Sequence, residues 1–241
     1  MLWVVKVNGY EIKPGANLSH AKLSNTNLNG VDLSGADLWR AELGNRDMSR
    51  YMEGTTLINA NLSNANLSGA ELFDANLSNA NLSNANLSGA NLSCAKVSNA
   101  NLSNANLSNA NLSNVNFTGA NLDGANLRTS RLEGASLIGA NLNRADLSYL
   151  NLSGVNLKDA NLKGANLSNA NLSNANLKDA NLKGANLSNA NLSNANLKGA
   201  DMNRAKRAGA NLTGATMPDG TRNITGLRKL FGSKNDWRNN A

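Results

Sequence analysis

The chain has 241 residues, 41% hydrophobic but only 4% aromatic, with 23 Lys and Arg against 16 Asp and Glu, one His and one Cys. One Cys excludes an internal disulfide, and one His with one Cys leaves no metal cluster or catalytic dyad to assemble. MLWVV is too short and uncharged for a secretion signal and no apolar run is long enough to cross a membrane, so the chain reads as soluble and cytoplasmic.

In chain order, LWVVKVNGYEIKPGA reads as two strands around Asn8-Gly9, a hairpin signal that makes residues 1–15 an N-terminal cap. A repeat follows, with Leu18, Leu23, Leu28, Leu33, Leu38 and Leu43 at every fifth position. It then loses phase: Leu43 and Leu57 are fourteen apart, and continuing the first frame would turn Arg46 inward. The spacing predicts a loop bulging near residues 44–54, where Arg46, Arg50 and Tyr51 are candidate interaction residues because loops carry function disproportionately.

From Leu57 to Met217 the five-residue rule holds for 33 units, with Leu at 28 central positions and Ala two residues earlier in 28. These two positions form the interior, while the intervening Asn, present in 24 units, and the residue after Leu face water. A period of five fits neither a helix nor an alternating strand. Repeats this short mean a solenoid, in which each coil buries its apolar face only against neighbouring coils. The residue two after Leu is Gly or Asn twelve times each and Asp four times, residues that tolerate the positive φ of a type II turn. Cys94, Thr129, Arg144, Tyr149 and Arg204 stand at the same corners and predict a different turn there. Large residues sit one coil from small ones, Phe117 by Val97 and Leu150 by Ser130, as compensating packing. Arg207, the one charge in the Leu register, predicts that the coil opens near 204–207 so that its side chain escapes burial.

The repeat stops at MPDGT, and Ile224, Leu227 and Phe231 then recur at helical spacing before a polar tail containing Trp237, so residues 220–241 form a C-terminal cap and tail.

The run of Ala-Asn-Leu-x-Gly/Asn units over residues 16–219 resembles the pentapeptide-repeat family. That resemblance implies an all-β fold, a right-handed quadrilateral parallel β-helix with four units per coil, about ten coils and a cap at each end. Residues 156–175 and 176–195 are identical, a twenty-residue copy equal to four units. At about 4.8 Å per coil the rod spans roughly 45–50 Å.

Charge is uneven. Residues 1–56 carry six basic and six acidic side chains, residues 57–127 one and three, residues 128–200 eight and four, and residues 201–241 eight and three. A twenty-residue coil stacks Lys158, Lys178 and Lys198 on one face and Lys163 and Lys183 on the next. The reading is a non-catalytic rod without cofactor or metal that binds another protein, as a monomer or end-to-end dimer. Two alternatives stand beside it. Quinolone-resistance members of the family mimic DNA on a topoisomerase, which implies an acidic surface that this basic chain lacks; the lysine columns instead suggest nucleic acid or another polyanion, without the interleaved aromatics that stack bases.

Overall fold

The computed structural model describes residues 5–44 and 54–224. Val5–Val7 (β1) and Tyr10–Ile12 (β2) pair antiparallel around Asn8 and Gly9, both at positive φ. Asn8 Nδ2 donates to the Lys22 carbonyl at 3.0 Å, and Ile12 is buried against the first coil.

The rest is a four-sided column. Each unit contributes one short parallel bridge, and its partner lies twenty residues on, as in Asn61 with Asn81 and Asn81 with Asn101. Four units therefore close one coil. The column has four sides, which we call by their first central residues: the Leu18, Leu23, Leu28 and Leu33 sides.

The unit Ala60–Asn64 shows why this motif forms this structure, because all five N–H groups find acceptors. Ala60 closes the corner onto the Leu57 carbonyl (3.0 Å), Asn61 donates to Val31 in the preceding coil (2.8 Å), and Leu62 and Asn64 donate to Asn81 and Ser83 in the next (2.7 and 2.9 Å). The fifth, Ser63, donates to Oδ1 of Asn61 (3.2 Å). Asn fills that slot because its side chain supplies the acceptor the backbone lacks, an Asx turn within each unit. Central Leu and the preceding Ala point inward, and nearly all are fully buried. Where Thr55 and Ser130 replace Ala, their hydroxyls donate to the carbonyls of Leu23 (2.7 Å) and Leu127 (2.6 Å), so burial leaves no orphan.

Two expectations fail here. Cys94, Thr129, Arg144, Tyr149 and Arg204 keep the regular corner, with φ of 62°, 59°, 57°, 62° and 59°. Stacking overrides local preference: Cys94, Arg144 and Tyr149 N–H groups donate to Ser113, Lys163 and Ser168 carbonyls of the next coil at 2.9–3.0 Å. Nor does the coil open at Arg207. Ala205 and Ala210 still close their corners onto Met202 and Arg207 (both 3.0 Å), and Lys206 still bridges Asn186. Arg207 lies in the final coil, where its half-exposed side chain meets water without any opening.

Across residues 44–54 the bridge spacing changes from twenty to 29, as in Asn27 with Thr56 and Glu42 with Glu71. The chain takes nine residues more than a coil needs at this point, and the lattice of bridges resumes in register. Gly44 and Gly54 lie against the coil below: a Cβ on Gly44 would collide with the Phe73 backbone at 2.8 Å, and one on Gly54 with that of Asp74.

Candidate functional site

Of the sequence candidates, Arg46, Arg50 and Tyr51 lie outside the described residues. The lysines do stack. Bridges joining Asn156, Asn176 and Asn196 align Lys158, Lys178 and Lys198, and the bridge from Asn161 to Asn181 aligns Lys163 and Lys183 on the adjoining side. Lys158 and Lys178 turn to Asp159 and Asp179 of their own corners, at 3.3 and 3.6 Å. Lys163, Lys183 and Lys198 are exposed and make no ion pair with a described residue. One coil before Lys163 the column holds Asn143, and its corner neighbour Arg144 donates to Asp123 Oδ2 at 3.1 Å. Partly neutralised in this way, the columns form a mild basic strip.

Between the columns run ladders of side-chain amides. On the Leu33 side Asn61, Asn81, Asn101, Asn121, Asn141, Asn161 and Asn181 each donate Nδ2–H to the Oδ1 one coil earlier, at 2.9–3.3 Å, ending on Asp32. Every amide donates in the same direction, so an acceptor-only carboxylate fits the starting end: Asp32 and Asp37 occupy it on two sides and Glu71 accepts from Asn91 on a third. The Ser34 N–H, then its hydroxyl, hold the Asp32 carboxyl below the ordinary carboxylate range.

One cluster escaped the sequence reading. His20 and Trp39 meet edge to face at 4.7 Å between centroids, and Arg40 lies 4.9 Å from the Trp39 ring centroid. The twenty-residue period alone would have placed His20 beneath Arg40. This aromatic and cationic group sits one corner before residue 44, where the bridge spacing lengthens to 29. Cys94 is exposed at another corner, and among the described residues no three His, Cys, Asp or Glu side chains converge on a metal position.

The pentapeptide repeats profile matches eight times, over residues 15–50, 51–89, 70–109, 90–128, 110–148, 130–164, 151–189 and 180–217. Among solved structures the column is similar to HetL, a pentapeptide repeat protein involved in heterocyst differentiation regulation from the cyanobacterium Nostoc sp. strain PCC 7120, with 33% identity, 84% of this chain and 94% of that chain covered, and a TM-score of 0.61. QnrB1, a plasmid-mediated fluoroquinolone resistance protein, is more distant, with 17% identity, coverage of 82% and 88%, and a TM-score of 0.41. Among curated proteins none matches the sequence significantly. With the repeat profile running from residue 15 to 217 and the bridges following its period, this chain belongs to the pentapeptide repeat family.

Proposed function

We propose that the chain is a non-catalytic protein-binding rod, a right-handed four-sided β-helix of about ten coils with a hairpin cap at residues 1–15 and, at residues 220–241, a C-terminal cap and tail whose described part covers one side of the last coil. It presents the segment around residues 44–54, with Arg46, Arg50 and Tyr51, to a partner protein. The observation that carries this reading is the coil of 29 residues where twenty suffice. The bridges run in register on either side of this surplus, and insertions of this kind carry function disproportionately. His20, Trp39 and Arg40 supply a rigid aromatic and cationic surface one corner away. Capture from native lysate by the intact chain and by a variant lacking residues 45–53 tests this. A partner lost with the segment supports it, and one held equally by both forms refutes it.

A second reading, polyanion binding, is favoured by Lys163, Lys183 and Lys198, exposed and without ion-pair partners among the described residues. Changing Lys158, Lys163, Lys178, Lys183 and Lys198 to Ser removes the strip while keeping a residue common at that position. Duplex DNA association that falls steeply with salt and vanishes in this variant supports it. DNA mimicry on a topoisomerase finds no support in a basic surface.

A further inference from the structure

Along the column each unit sends two N–H groups to the next coil and accepts one in return. Leu182 and Gly184 donate to the carbonyls of Asp201 and Asn203 at 2.7 and 2.9 Å, while Asp201 donates back to Ala180 at 2.9 Å. The stack is therefore polar, and the final coil ends in an edge rich in donors. Among the described residues the N–H groups of Met202, Arg204, Arg207, Gly209 and Leu212 there have no acceptor, and the carbonyls of Ala200, Ala205 and Ala210 have no donor. Exposed Lys183, Lys198, Arg204, Lys206 and Arg222 surround this edge, with Arg207 half-exposed. The nearby acids are Asp201 and Asp219, whose carboxylates accept the N–H groups of Asn203 and Thr221 (both 2.9 Å).

One side of the edge already holds an extended segment. Arg222 bridges Thr216 antiparallel, with Met217 and Gly214 donating to the carbonyls of Thr221 and Asn223 and Asn223 donating to Ala215, all at 2.7 Å. The edge thus accepts an added strand through the N–H groups that would otherwise join a further coil.

We propose that the sides carrying Met202 with Arg204 and Arg207 with Gly209 bind an extended acidic segment of a partner protein. Its carbonyls accept the free N–H groups, its own N–H groups reach Ala200 and Ala205, and its carboxylates lie over Arg204, Lys206 and Arg207. Charge selects this occupant. The chain's own residues 225–241 carry Arg228, Lys229, Lys234 and Arg238 against Asp236, and a second copy would bring the same basic edge or a balanced N-terminal region of six basic and six acidic side chains. The inference rests on the protein-binding reading and supplies a second contact for it.

The test uses the full chain and a fluorescein-labelled octapeptide of alternating Glu and Val, with a Lys-for-Glu counterpart. The acidic peptide should bind at least tenfold tighter than the basic one and shift the Met202, Arg204, Arg207 and Gly209 amides. The variant R204E/K206E, whose thermal unfolding should match the parent because both side chains are exposed, should reverse the preference. Equal affinities, shifts confined to the Lys158 and Lys163 columns, or a tenfold gain in affinity on removing residues 225–241, which would make the tail the occupant, each overturn the proposal. A lysate partner retained by R204E/K206E but lost without residues 45–53 removes the edge contact and leaves the protein-binding rod standing.

Discussion

Leu150 lies one coil beyond Ser130, and between them the Leu23 side loses its single rung: Asn111 bridges Arg131 and Asn151 bridges Asn171, but Arg131 and Asn151 do not pair. The N–H groups of Leu127, Thr129, Leu132, Gly134 and Asn151 also lack the coil-to-coil backbone bonds their counterparts make. Leu150 occupies a slot shaped for Ala, and the smaller Ser130 does not make up the difference. The other mismatched pair closes fully, with Val97 N–H to Asn116 at 2.9 Å and Phe117 N–H to Ser136 at 2.8 Å, because both residues occupy the roomier Leu slot. Volume balance works there and fails at the corner.

Returning both positions to Ala, Ser130→Ala with Leu150→Ala, should restore the rung. Stability should rise by about 1–2 kcal/mol, the net worth of one or two recovered backbone hydrogen bonds, with slower amide exchange over 127–134. A drop in the urea midpoint would show that Leu150's packing outweighs the lost bonds.

Removing residues 45–53 joins Gly44 to Gly54 and leaves Leu43 five residues from Leu57, a regular unit. The shortened chain should fold with a thermal midpoint within a few degrees of the parent, since closing a long loop costs only a slowly growing entropy. Loss of the far-ultraviolet signature would show that the segment helps to hold the column.

Leu107 is fully buried and Ser108 lies on the surface of the same unit. Leu107→Lys should destabilise by several kcal/mol, because no partner awaits a charge in the interior. Ser108→Lys should stay within about 0.5 kcal/mol. Parallel thermal unfolding decides it, and equal losses would overturn the inward and outward assignment.

Asp32 titrates lower in the folded chain, chiefly through the Ser34 N–H. A depressed carboxyl contributes stability above the unfolded carboxylate pKa of about 3.9, lost as pH falls through the folded value. Asp32→Asn keeps an oxygen for Ser34 and Asn61 without titrating. The parent should therefore lose ground to this variant as pH falls below about 4 in urea unfolding. Parallel stability curves would remove Asp32 from the acid response.

The interior was legible because Leu and Ala each hold 28 of 33 slots, and stacking needs nothing beyond that repetition. The Asn ladders were not. A period shows only that Asn recurs, whereas its bond to the residue two places on and its donation across the coil depend on geometry. The corners misled for the opposite reason: Tyr149 and Arg144 disfavour positive φ on their own, and cooperative backbone bonds overrule them. Arg207 reaches water as its place in the register predicts, but by lying in the last coil rather than by opening it. The lysine columns followed from the twenty-residue period, and Asp159 and Asp179, next in sequence to Lys158 and Lys178, were legible as their offsetting charges, which the structure pairs at 3.3 and 3.6 Å.

Residues 156–175 and 176–195 are identical, and each spans one complete circuit of four bridges. Because the copied stretch equals the geometric repeat, gaining or losing one copy would change the distance between the two termini in a single fixed step of about 4.8 Å. Every side would keep its chemistry and its orientation. Length in such a chain is a countable trait, open to adjustment by recombination between copies without renegotiating the fold.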